Sequence, residues 1–427
     1  MSRAHTPRWY RWFTVFIACI LAVGILPSFT ALSTSLYSDF PNASKYFGPL
    51  NVLKLYAPFV LFFLWRERRV YSKKFWTIYG ALLGLGTVCS LIAWIPCGFP
   101  SSEIRDWGVI ALGTLYSLAF LALPKRHLHA VLTTWTILVG GTALLQLIWP
   151  ASIDWLYGHI FDPQTPLIDL EQTRTRALSG VFSRQSLAKL LSWIPWLALA
   201  YSLTPKSKGW VTLAAGVLCI FATGAILGTT QRGPFLAGIA AWLVFTAHQS
   251  FRVRDHAIAL VGAASVAISL LLMALIVPTD LIRERFAFVG RIGQTRYIDP
   301  SLVFRSRVTR IALDQIKKRP LGNACISKDI YEDYSVNVGH SHNLFLQQFV
   351  ARGWIWGLVH FFLWFAALVG AWRLRTSYGS ALAAGLVTVI LGGMVDHPWF
   401  PLNHAMVLGV LLTLGLSTWV KQRPLRV

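Results

Sequence analysis

Apolar residues in this chain gather in long continuous runs instead of the alternating pattern of half-buried strands. Trp9 to Pro27, Ala257 to Val277 and Phe345 to Ala371 each approach or exceed the roughly 20 residues that a helix needs to cross a bilayer. Similar runs recur, and together they predict about twelve spans, at 10–29, 47–65, 75–95, 107–123, 130–149, 186–203, 210–227, 234–248, 257–277, 344–371, 379–395 and 403–420. The expected class is an all-α integral membrane protein in three parts. Residues 1–277 hold nine spans and an outer loop at 150–185; residues 278–343 form a large polar loop; residues 344–427 hold three more spans. The first run follows a basic segment as a secretory leader would, but no small-residue cleavage site follows it, so it is read as a retained helix.

Composition agrees, because 55% of the 427 residues are hydrophobic and only 13% are charged, far from what a water-solvated domain tolerates. Tryptophans near the ends of several runs, such as Trp65, Trp149 and Trp399, fit an interfacial belt. A net charge of +22 on a soluble domain would point to nucleic acid, but here the charge has to be divided by side. Basic clusters occur at Arg3/Arg8/Arg11, Arg66/Arg68/Arg69/Lys73/Lys74, Lys125/Arg126, Lys206/Lys208, Arg252/Arg254, Arg373/Arg375 and Lys421/Arg423/Arg426, on alternate connections. The positive-inside rule then puts both termini and five short loops in the cytoplasm, and the longer connections outside.

The loop 278–343 is too long to be a plain connector. Within it, Val308, Ile311, Ala312 and Ile316 share one helical face, while Arg307, Arg310, Asp314, Lys317 and Lys318 take the other. This predicts an amphipathic helix from Phe304 to Arg319, stopped by Pro320. Arg305 falls on the apolar, inward side and needs a partner there. The loop carries eleven Lys/Arg against seven Asp/Glu, a basic surplus on the side where little is expected. It is either solvated decoration or matched by an anionic ligand.

Four places could carry chemistry. Arg232, in the short outer turn before Gly233 and Pro234, could fork onto phosphate oxygens or simply snorkel to the interface. His340 and His342 precede the longest apolar run; the positive end of a helix dipole and nearby arginines would keep a histidine there neutral and able to act as a base. A zinc site is the weaker reading, because histidines two apart do not share a helix face. Asn343, next to them, reads equally as a helix cap. Arg174, Arg176 and Arg184 flank a small-residue segment around Gly180 that could line a headgroup cavity, and Asp396 sits at the outer end of a span as a functional group, a cap or an ion-pair partner. Of the five cysteines, Cys97 and Cys325 could pair; none has metal-ligand spacing. There is no P-loop, dinucleotide fingerprint or nucleophile elbow, which disfavours pumps and nucleotide-sugar enzymes.

Taken in order, Gly180-Val-Phe-Ser-Arg-Gln-Ser-Leu-Ala188, Gln231-Arg232-Gly233, Arg305 through Lys317-Lys-Arg-Pro-Leu-Gly322, and His342-Asn343-Leu-Phe-Leu-Gln347 running into Gly353 resemble the O-antigen ligase and polymerase family of bacterial envelope proteins, over roughly residues 175–400. Gln231 stands where that family is expected to have serine. The resemblance implies a GT-C-type glycosyltransferase of the bacterial inner membrane, with its site on the periplasmic face. It would move a glycan from undecaprenyl diphosphate to lipid A-core oligosaccharide, and would need no cofactor: no metal and no nucleotide. In that reading Arg232 and Arg305, supported by Arg184 and Arg176, hold the donor diphosphate. His342 deprotonates the acceptor, and His340, Asn343, Arg310 and Asp396 are candidates to support acceptor binding. An O-antigen polymerase or a protein-glycan ligase of the same family is the nearest alternative. A transporter of anionic lipid would use the same arginines without chemistry, but predicts paired halves or broken helices, of which the sequence gives no sign.

Overall fold

A computed structural model describes residues 7–26, 52–149, 151, 178, 182, 184–203, 209–229, 231–276, 300–324, 343–395 and 402–418. Among them every regular element is helical. Helices α1 (Arg8–Val23), α2 (Val52–Glu67), α3 (Lys73–Trp94), α4 (Ser101–Ala122) and α5 (Lys125–Ile148, with a π-turn at Ile137–Gly141) form the first group. They are followed by α6 (Arg184–Ser202), α7 (Gly209–Gly228), α8 (Arg232–His248), α9 (His256–Ile276), α10 (Pro300–Lys318), α11 (Leu344–Arg373), α12 (Ser377–Val395) and α13 (Leu402–Ser417). Each predicted span overlaps one of these helices, and α10 is the amphipathic extra. Among the described residues, six helical segments are long and apolar enough to cross a membrane: Lys73–Cys97, Ser101–Ala122, Lys125–Ile148, Gly209–Gly228, Leu344–Arg373 and Ser377–Met394. The chain is thus an all-α protein built as a multi-pass membrane protein.

Local sequence sets several helix starts. Pro7, Pro100 and Pro124 immediately precede α1, α4 and α5, where a missing N–H costs nothing. Ser72 caps α3 by accepting a bond from Phe75 N at 3.1 Å. The buried centre is α12 and α13, whose residues are nearly all shielded by neighbouring helices. Small residues let α13 approach closely: a methyl group added at Gly113 of α4 would lie 2.4 Å from Ala405 Cβ, and one at Gly415 would lie 2.6 Å from Ala367 Cβ of α11.

The bundle has two distinct ends. Tyr10 donates to Glu67, joining the start of α1 to the end of α2. Asn403 Nδ2 donates to Ile25 O at 2.7 Å, joining the far end of α1 to the start of α13. His248 meets Ser380, with Nδ1 to Oγ at 2.7 Å, joining the end of α8 to the start of α12. Arg8, Arg66, Lys73, Lys125, Arg252, Arg254 and Arg373 therefore lie toward one end, the basic end. The starts of α4, α8, α11 and α13 lie at the other.

Two expectations need correction. The fourth span starts at Ser101, not at 107, so Glu103 and Asp106 are helical and face the bundle instead of sitting in a loop. The long run 344–371 is not one uninterrupted helix, since Gly353 has φ 79° and ψ 179° and breaks α11 after Arg352. Broken helices, unseen in the sequence, do occur here.

Candidate functional site

The end of the bundle opposite the basic loops gathers the described candidates. Asn343 caps α11: its Oδ1 accepts from Phe345 N at 2.9 Å and from Leu346 N at 3.0 Å. The same side chain donates from Nδ2 to Met394 O at 2.9 Å, tying the start of α11 to the last turn of α12. Asn343 is thus a cap and a tether, with both ends of its amide in use, and it is not free to recognise an acceptor. It fixes the point at which the chain leaves His342 for the membrane helix.

Arg232 is the first residue of α8 and is half-buried. Helix α8 runs antiparallel to α12, as His248 opposite Ser380 and Gln249 Oε1 accepting from Ser377 Oγ at 3.4 Å show. Sixteen residues back along α8 from His248 and fifteen forward along α12 from Ser380 span similar distances, about 24 Å and about 22 Å at 1.5 Å per residue. Arg232 therefore comes level with the end of α12, at the same end as Asn343. Leu178 N donates to Gly228 O at 3.0 Å, and Leu178 and Phe182 are buried, so Leu178 docks on the end of α7 three residues before Gln231. Arg184 opens α6 at this end as well.

Arg305 reaches the site by a different route. Val308, Ile311, Ala312 and Ile316 of α10 are buried against Val350, with Phe304, Leu346 and Phe349 around them. Burial of the three larger aliphatic side chains contributes on the order of 1.5–3 kcal/mol each. The far end of α10 is pinned by backbone bonds from Asn323 N to Val350 O, 2.7 Å, and from Trp354 N to Pro320 O, 2.9 Å. The helix therefore runs back along the first turns of α11 toward Asn343. Arg305 is half-buried on it and makes no hydrogen bond or ion pair among the described residues, whereas Arg307 and Arg310 are exposed. An exposed Arg310 has the freedom of a peripheral contact only. The pin requires two glycines: Gly322 has φ 103°, and a Cβ on Gly353 would lie 2.5 Å from the Leu321 carbonyl carbon. The Pro-Leu-Gly322 and Gly353 stretches, 31 residues apart in sequence, are thus one backbone contact.

His342, His340, Arg176 and Asp396 lie outside the described residues. So does Cys325, while Cys97, which follows α3 at the Asn343 end, is disulfide-bonded and Cys19, Cys89 and Cys219 are free.

Below the cap lies a cluster that the sequence reading missed. Arg352, 2% exposed, donates from Nε to Ser90 Oγ at 3.1 Å and from Nη1 to Gln348 Oε1 at 2.8 Å. Its Nη2 stands 3.9 Å from Glu103 Oε2, and its guanidinium lies 5.2 Å from the Trp107 ring centre. Trp356 Nε1 donates to the same Gln348 oxygen at 3.1 Å. This network binds α11, just before its break, to α3 and α4, so the first turns of α11 are held from both sides. A single arginine inside an apolar run was the available signal, together with a run of 30 residues where about 20 suffice.

Comparison with protein families finds no family model that matches this chain, and comparison with curated proteins finds no match. The functional reading rests on these residues and on the motif resemblance.

Proposed function

We propose that the protein is a membrane glycosyltransferase of the O-antigen ligase kind, with twelve spans in a GT-C-type arrangement. It would transfer O-antigen from undecaprenyl diphosphate to lipid A-core oligosaccharide at the periplasmic face of the bacterial inner membrane. The observation that carries the reading is the convergence at one end of the bundle: Arg232 at a helix start, Asn343, the residue after His342, tethered to α12, and Arg305 on the inner face of α10 with no hydrogen bond or ion pair among the described residues.

In this mechanism His342 takes the proton of the acceptor hydroxyl, and the oxygen attacks the anomeric carbon of the donor. The bond from that carbon to the diphosphate breaks, and its electrons leave with the diphosphate, inverting the centre. Negative charge grows on the leaving group, where Arg232 and Arg305, fixed on helices near a low-dielectric interior, stabilise the transition state more than the ground state. Arg184 and Arg176 would assist at the donor, and the exposed cations of α10 would face a phosphate-rich acceptor. The disulfide at Cys97 supports the assignment of this end to an oxidising compartment, and the basic loops at the opposite end support a cytoplasmic side there.

A transporter remains the reading from another class, and the break in α11 bears on it. Broken helices in transporters line a cavity, whereas the backbone freed at Gly353 is filled by Pro320, Leu321 and Gly322. The purified protein in detergent, given undecaprenyl-diphosphate glycan and lipid A-core without metal or nucleotide, tests the choice. Glycan on lipid A-core from the wild type and not from His342→Ala is the expected result. Lengthened donor would indicate a polymerase, and no product from folded protein would turn the reading toward transport.

A further inference from the structure

The basic end of the bundle carries a cavity that this mechanism does not use. It is open, about 570 Å³ in volume, and lies where the start of α1 meets the end of α2 and the turn into α5. Arg8, Arg11, Arg126 and His127 line it, together with Trp12 and a single acid, Glu67. Glu67 already accepts a hydrogen bond from Tyr10. Arg8, Arg11 and Arg126 are exposed and form no ion pair among the described residues. Arg66 lies beside them, its guanidinium 5.5 Å and 4.9 Å from the ring centres of Trp9 and Tyr10.

Two features give this cavity a depth in the membrane and a chemistry. Trp9 and Trp12 project outward from α1, 52% and 75% exposed, and tryptophan rings of that kind settle at the headgroup level of a bilayer. Three unpaired arginines against one engaged carboxylate leave a concentrated positive charge at that same level. Guanidinium groups match phosphate oxygens in two-point hydrogen bonds. Basic pockets between membrane helices at this depth suit phosphate-bearing headgroups.

We propose that this cavity is a binding site for the headgroup of an anionic phospholipid, with Arg8, Arg11 and Arg126 as its phosphate ligands. The site is independent of the transfer reaction and stands if that reading fails. A bound headgroup would bridge α1, α2 and α5 at this end, where Tyr10 and Glu67 already link α1 to α2.

Native mass spectrometry of the purified full chain in detergent, titrated separately with cardiolipin, phosphatidylglycerol and phosphatidylcholine, tests the proposal. One tightly held anionic lipid per chain is expected, at least about tenfold tighter than phosphatidylcholine. The variant Arg8→Gln/Arg11→Gln/Arg126→Gln is expected to lose that preference, and Arg69→Gln/Arg254→Gln/Arg375→Gln, which removes equal charge elsewhere at the same end, to keep it. Equal binding of phosphatidylcholine, or equal loss in both triple variants, would overturn the site. Displacement of the lipid by millimolar inorganic phosphate or glycerol phosphate would make it a soluble-anion site and overturn the lipid assignment. Should the first variant fail to fold, the comparison of lipids and soluble competitors on the wild type still decides.

Discussion

At the basic end of the bundle, Arg8, Arg11 and Arg126 stand exposed around an open cavity; at the other end, Arg232 and Arg305 are half-buried, one on the first residue of a membrane helix and one on the packed face of α10. The charge is the same, and its mounting differs. An exposed arginine follows a mobile headgroup and holds it without demanding one geometry. An arginine whose helix is locked by packing cannot follow, so it favours whichever state of a ligand places charge where the guanidinium already is. The contrast shows why net charge alone, +22 over the chain, was uninformative until it was divided between the ends.

Substitutions read in one transfer assay sharpen this contrast. On the proposed reading His342→Ala has the largest effect, a loss of roughly 10²–10⁴-fold in rate, as expected when a general base is removed. A variant that elutes as folded protein and retains more than about a tenth of the rate would remove His342 from that role. Next come Arg232→Ala and Arg305→Ala, each expected to lower kcat by about 10²–10³-fold. Arg307→Ala, on the exposed face of the same α10, and Arg69→Ala at the basic end should stay within about twofold. Comparable losses for all four would mean that positive charge, and not its mounting, matters.

The mounting itself can be attacked at Gly353. A methyl group there meets the Leu321 carbonyl carbon at 2.5 Å on a backbone with φ 79°, so Gly353→Ala should cost at least about 1–3 kcal/mol from backbone strain alone. Gly84→Ala, facing open space on α3, should change stability by less than about 0.5 kcal/mol. Thermal unfolding in detergent measures both; equal midpoints would show that the contact between Gly322 and Gly353 is not what holds α10.

Much of this geometry was readable in advance, and the unreadable part has a physical cause. The face of α10 follows from side chains three and four apart, so the sequence separates Arg305 from Arg307 correctly. Asn343 before an apolar run reads as a cap for the same local reason. The network of Arg352 with Ser90, Gln348 and Glu103 escapes such reading because Arg352 lies 262 positions from Ser90, and Glu103 sits beside Pro100 where a loop was the natural expectation. The contact of Gly322 with Gly353 is likewise invisible to periodicity, since it joins two backbones and leaves no pattern of side chains.

The smallest effect separates the two tasks of Asn343. Asn343→Ala removes cap and tether together and should cost about 0.5–2 kcal/mol. Asn343→Asp keeps an acceptor for Phe345 N and Leu346 N, and its charge suits the positive end of α11, so the midpoint of unfolding should hold. It has no hydrogen to donate to Met394 O, so the tie between α11 and α12 is lost. A rate that falls several-fold with an unchanged midpoint would show that the tether positions the neighbouring His342. Rate and midpoint both kept in Asn343→Asp, with both lowered in Asn343→Ala, would leave Asn343 as a cap alone, and the convergence at that end would then depend on Arg232 and α10.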